Sequence, residues 1–173
     1  MFKKLNLITN IKFGLLAAVA FAIPVFIYIR DSSYASSWLL YLGSALFAVV
    51  IAIYTLFFNK TRDENANTAQ MVFASHVTVV IGIILSVLFC FILLSVFVPG
   101  YLGGPADPGI SADAPTNTVH GKANGLGFRV FVGAILINFF FGAFAGLLFP
   151  FSAKRDQTKN AGDKPRIHQE GAA

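Results

Sequence analysis

Charge is what this chain has least of where it matters. Of its 173 residues only 12% are Asp, Glu, Lys or Arg, against 56% hydrophobic. Four long apolar blocks, about 11–29, 37–58, 71–98 and 128–151, carry no such residue beyond Lys12 and Arg129 at their edges. Cys90 is the single cysteine, which excludes an intramolecular disulfide, CxxC redox chemistry and a cysteine-built zinc site. Its place deep in the third block reads as a small polarizable packing residue. Histidine is also sparse. His76 lies one turn into the third block, while His120 and His168 stand far apart in polar segments with no metal-ligand spacing.

The blocks themselves are long enough to decide the class. A helix needs about 20 apolar residues, rising about 1.5 Å each, to cross about 30 Å of hydrocarbon. Each block meets that requirement and none keeps the polar face that a soluble amphipathic helix needs. The expected fold is all-α, an integral membrane four-helix transmembrane bundle. Residues 1–10 form a cytoplasmic or interfacial lead-in, 11–151 the membrane domain, and 152–173 a polar, disordered cytoplasmic tail. No remaining segment has the apolar content for a soluble core of its own. The first block also has signal-peptide elements, Lys3, Lys4 and small residues near Ala35. Its apolar run is longer than a usual h-region, and Arg30–Asp31 intervenes before the small residues, which favours an uncleaved span.

Charge placement sets the expected orientation. Lys3, Lys4, Lys12, Lys60, Arg62, Lys154, Arg155, Lys159, Lys164 and Arg166 account for ten of the 13 basic residues, and all fall on one side of a four-span layout. Cytoplasmic loops retain Lys and Arg, so both termini are expected in the cytoplasm. The net charge of +5 then reflects topology and contact with anionic headgroups, not nucleic acid. Tyr28, Tyr34, Trp38 and Tyr41 cluster about the short first loop as an aromatic belt would. Residues 99–127 form a Gly/Pro-rich outer loop too poor in large apolar residues to order itself alone. Pro24, inside the first span, is expected to kink it.

Membrane helices approach closely through small side chains, because lipid supplies no hydrophobic drive for their association. Reading every fourth residue gives one such stripe per helix: Gly14, Ala18 and Ala22; Ser44, Ala48 and Ala52; Thr78, Gly82, Ser86 and Cys90; and Ala134, Asn138, Gly142 and Gly146. These are the expected helix-packing residues, with bulky Phe, Leu, Ile and Val turned to lipid. Asn138 is the most polar side chain at depth, and Ser86 or Thr78 are its expected partners, at about 1 kcal/mol.

The spans contain no buried acid or base to carry coupled ions, no histidine pair for haem, and no nucleophile–base constellation. An enzyme is not expected, and no catalytic, cofactor or metal residue is assigned. Two readings remain. One is a non-catalytic structural or accessory subunit packed in a membrane complex. The other is a small channel or carrier, working as an oligomer through a pore lined by Ser, Thr and Asn. The partners are then the lipid bilayer, and either another membrane protein or further copies of the chain.

The basic start running into Ile11–Lys12–Phe13–Gly14, the turn Asn59–Lys60–Thr61–Arg62 and the abrupt basic end Ser152–Ala153–Lys154–Arg155 are similar to a bacterial domain family of unknown function. Its members are small four-span proteins of like size, and the Gly/Pro-rich outer loop has no counterpart in that resemblance. The resemblance implies the bacterial inner membrane and no site residues. Reporter fusions test the orientation. A fusion at Ala114 is expected to read out as external and one at the C-terminus as cytoplasmic; a cytoplasmic readout at Ala114 reverses the topology.

Overall fold

A computed structural model describes residues 6–31, 33–59, 68–98, 101–102 and 125–162. The lead-in before residue 6, the turn at 60–67, most of the 99–127 loop and the end of the tail lie outside the described residues. Those described fold into four helical rods. Helix α1 spans Leu7–Asp31, and a 3-10 turn, Tyr34–Ser37, leads into α2, Trp38–Ile53, which ends in a π-helical turn, Tyr54–Phe58. Helix α3 spans Thr68–Phe97. The fourth rod comprises α4, Leu126–Val132, a π-helical turn, Gly133–Ile137, and α5, Asn138–Gly162. All four rods are long and apolar enough to cross a membrane.

Local chemistry explains the ends. Asn6 caps α1: its Oδ1 accepts from the Thr9 N–H at 3.3 Å, so the helix begins before the apolar block does. At the other end Ser33 Oγ accepts from the Ala35 N–H at 3.2 Å, and the Ser36 hydroxyl donates to the Asp31 carboxylate, tying the tight α1–α2 connection together. Pro24 is buried inside α1, which continues as helix on both sides of it. α5 runs to Gly162, well past Ser152 where the disordered tail was expected to begin. Lys154, Arg155, Gln157 and Lys159 are straight-chain helix formers, and a glycine is a usual residue at a helix end.

The rods form a four-cornered bundle. α1 packs chiefly on α2 and α3, and the fourth rod packs on the same two, so consecutive α2 and α3 sit across a diagonal. α1 and α3 run one way, α2 and the fourth rod the other. The end holding Asn10, Asn59 and Met71 is called the lower end here, and that holding Tyr28, Val98 and Leu126 the upper.

Two phenylalanines fill the axis. Phe21 and Phe47 are both 0% exposed. A Cβ placed on Gly82 would lie 2.8 Å from the Phe47 ring, and one on Gly142 would lie 2.9 Å from the same ring. Phe21 seats in the same manner against Gly43, whose Cβ would meet the Phe21 carbonyl oxygen at 3.0 Å, and it reaches across the diagonal towards Gly133. α1 and α3 approach closely at Gly14 and Gly82, where a Cβ on Gly14 would stand 3.2 Å from the Gly82 backbone nitrogen.

This corrects the expectation that bulky side chains all turn outwards. Phe21, Phe47, Ile51, Leu94, Val25, Val79 and Val130 are buried. Four helices about one axis leave interior volume that stripes of glycine and alanine alone cannot fill, and close-packed interiors do not tolerate the void. The outer surface is apolar too. Leu16, Ile23, Val49, Ile84, Leu88, Leu136 and Phe140 are exposed, with examples on all four rods.

Because the Phe47 ring is held from two sides, Gly142→Ala cannot be relieved by a rotamer change. It is expected to lower stability by about 1–3 kcal/mol, read as thermal denaturation in detergent. Phe47→Leu in the Gly142→Ala background should recover part of that loss. An unchanged melting profile for Gly142→Ala would show that the socket is not tight.

Candidate functional site

The interior polar groups include two layers, a lower one that is largely hydrogen-bonded, with Asn10 Nδ2 its unpartnered atom, and a higher one that is not. The buried polar residues are Asn10, Ser44, Thr55, Asn59, Ser75, Thr78, Ser86 and Asn138, all of them hydroxyls or amides. Among the described residues no group of three or more His, Cys, Asp or Glu comes together as a metal site. His76 is half-buried beside Gly146 and hydrogen-bonds through Nδ1 to the Val72 carbonyl at 2.8 Å.

The lower layer is a connected network. The Tyr54 hydroxyl donates to Asn10 Oδ1 at 2.6 Å, joining the end of α2 to α1. Asn59 Nδ2 donates to the Met71 carbonyl at 2.6 Å and to Ser75 Oγ at 3.0 Å, joining α2 to α3. The Thr55 and Ser75 hydroxyls are 3.0 Å apart and also donate back to the Ile51 and Met71 carbonyls. Phe13 closes the layer on one side, its ring centroid 5.3 Å from that of Tyr54. The π-helical turn makes this possible. A π turn links residues five apart, and the Asn59 N–H donates to the Tyr54 carbonyl at 2.9 Å. In an α-helix those two side chains would diverge by about 140°; here both face inwards.

The second layer lies higher and repeats the device with a different result. The Asn138 N–H bonds to the Gly133 carbonyl, again closing a π turn with an asparagine. Asn138 is fully buried, yet neither Oδ1 nor Nδ2 has a hydrogen-bond partner, and the same holds for Ser44 Oγ and Ser86 Oγ. The bond expected from Asn138 to Ser86 or Thr78 is not made: Ser86 Oγ and both Asn138 side-chain atoms are unpartnered, and the Thr78 hydroxyl donates to the Ala74 carbonyl at 3.0 Å within its own helix. Each buried polar group left without a partner costs about 1–3 kcal/mol.

The expected packing residues fall into place unevenly. Thr78, Gly82, Ser86 and Cys90 are buried, as are Ala134, Asn138, Gly142 and Gly146 on the fourth rod. Gly14, Ala18 and Ser44 are buried, while Ala22, Ala48 and Ala52 are half-buried. In α2 the innermost line is Gly43, Phe47, Ile51 and Thr55, one residue out of step with the expected Ser44–Ala48–Ala52 stripe. Sequence reading missed Asn10, Tyr54, Thr55, Asn59 and Ser75 altogether. Polar residues at span ends ordinarily face water, and no residue in Tyr54–Phe58 signals a π turn. Comparison with family models, with curated proteins and with solved structures finds no match for the chain.

The lower network predicts a coupling. Tyr54→Phe leaves Asn10 Oδ1 without its donor, and Asn10→Leu leaves Tyr54 without its acceptor. Interhelical bonds of this kind are worth about 0.6–1.7 kcal/mol, so the double mutant should be less destabilised than the sum of the singles, read by a thermal double-mutant cycle in detergent. Strict additivity would mean that the bond does not couple α1 to α2.

Proposed function

We propose that the chain is a multi-pass protein of the bacterial inner membrane, with both termini cytoplasmic, that serves as a non-catalytic accessory subunit packed against another membrane protein. The observation that carries this reading is the filled axis. Phe47 seats between Gly82 and Gly142, and Phe21 lies against Gly43 and towards Gly133. A single copy therefore offers packing surface and no aqueous passage. Large apolar side chains on the outside of all four rods support membrane insertion, since water would make that surface costly. The one-sided placement of basic residues supports the orientation, and the four-span layout is similar to that of the bacterial family noted above.

The fourth rod is the face we assign to the partner. It exposes Phe139, Phe140, Phe144 and Phe151 along α5, with Leu136, Leu147 and Leu148 among them. Aromatic side chains supply large contact area at low entropic cost and dominate well-packed interfaces. A channel or carrier, the other reading, needs a path between copies because the axis of each copy is plugged.

Extraction in mild detergent followed by intact-complex mass spectrometry separates the readings. A stoichiometric, unrelated partner is expected. Phe140→Ala with Phe144→Ala should then weaken its retention about tenfold or more while leaving the melting temperature of the isolated chain unchanged, because both rings are exposed in it. A homo-oligomer alone would displace the accessory reading in favour of a pore, and a lone monomer would overturn both.

A further inference from the structure

Apart from Asn10 Nδ2 near the lower end and the Tyr28 hydroxyl near the upper, the buried polar atoms of Ser44, Ser86 and Asn138 that lack a partner lie at one height in the bundle. Phe47 touches the positions of Gly82 and Gly142. One helical turn above that contact, following the direction of each rod, α2 presents Ser44, α3 presents Ser86 and the fourth rod presents Asn138. The fourth corner follows from the Gly14–Gly82 crossing. α1 and α3 run parallel, so one turn above it Ala18 stands level with Ser86. Ala17, Ala18, Ser44, Ser86, Ala134 and Asn138 are all buried and uncharged. Three of the corners thus contribute four polar atoms, each with less than 1 Å² of surface and none with a hydrogen-bond partner.

We propose that Ser44, Ser86 and Asn138 form a buried hydration site, a layer midway along the bundle that holds bridging water. Three arguments select water. The first is the number of available bonds. A buried water takes two to four hydrogen bonds from otherwise unsatisfied groups, and this layer supplies two hydroxyls, an amide donor and an amide acceptor. The second is confinement. Phe47 closes the layer below, against Gly82 and Gly142, and Phe21 closes it above, where it faces Gly43 and Gly133. An occupant must be small. The third is charge: no acid or base stands among the buried residues at this level, so nothing there neutralises an ion.

The contrast with the lower layer strengthens the case. Both layers use an asparagine that closes a π turn, and Asn59 is satisfied by the Met71 carbonyl and Ser75. Asn138 occupies the equivalent position with nothing to bond. π-helical turns persist where they serve a site. The one at Gly133–Ile137 lets Gly133 and Asn138, five residues apart, both face the interior.

The test uses the full chain, isotope-labelled, in detergent micelles. Magnetisation transfer from water to the Asn138 side-chain amide protons is expected, with loss of that water signal at neighbouring backbone amides in Asn138→Leu. Stability supplies the sign. If the layer is dry, Asn138→Leu removes a stranded amide and raises the melting temperature. If it is wet, the same change strands Ser44 and Ser86 and lowers it by a few degrees. Ser44→Ala and Ser86→Ala added to Asn138→Leu should then regain most of the loss, because a fully apolar layer expels its water. A raised melting temperature in Asn138→Leu, or no water transfer in the unmutated chain, overturns the proposal. Should Asn138→Leu fail to assemble, Ser86→Ala is read instead, with a weakened water signal at Asn138 expected and an unaltered one counting against the site.

Discussion

The bundle depends on one aromatic ring and the two holes that receive it. Phe47 enters the axis from α2 and meets α3 at Gly82 and the fourth rod at Gly142, where any side chain would stand within 3 Å of the ring. In water such a ring would be driven inwards by the hydrophobic effect. In lipid, the setting we propose for it, that drive vanishes, and what remains is dispersion between well-fitted surfaces. The fit therefore has to be close. Glycine at 82 and 142 sets how near the helices come, and this spacing also permits the Gly14–Gly82 crossing of α1 on α3.

That spacing fixes what the polar groups can do. Below the ring, α1, α2 and α3 converge closely enough for Asn10, Tyr54, Asn59 and Ser75 to bond directly, and the lower end is stitched across three rods. Above it, Ser44, Ser86 and Asn138 share a level without bonding to one another. The two layers use the same backbone device, a π turn closed by asparagine, and reach opposite states because the neighbours differ. Asn59 reaches across to α3, where the Met71 carbonyl and Ser75 Oγ accept from its amide, whereas no acceptor or donor stands within bonding distance of the Asn138 side chain.

The same packing bears on function. Phe21 and Phe47 fill the axis among the described residues, and the exterior around it is apolar. That exterior is widest in aromatics along α5. The accessory role we propose needs only such a surface and a well-packed body to carry it.

Much of this architecture was legible in the residues, and the division has a physical basis. Apolar runs of membrane-spanning length, the charge-free interior, the polar punctuation and the small-residue stripes of α3 and the fourth rod follow from composition and a helical period. They are local properties that each helix carries alone. The register of α2 was not legible. Ser44, Ala48 and Ala52 are as regularly spaced as the true inner line of Gly43, Phe47, Ile51 and Thr55, and only the sockets on the other helices select between them. The same is true of the inward phenylalanines: a ring on a membrane helix suits lipid or a cavity equally, and the cavity exists only once Gly82 and Gly142 are brought opposite it. The π turns belong to the same class. Their cost is repaid by tertiary placement of Asn59 and Asn138, so no local signal marks them. Sequence by itself determined four apolar helices, because length and hydropathy are sums along the chain. The tertiary structure alone decided which face of each helix turns inwards and which polar groups find partners, because both depend on the shapes of the other three.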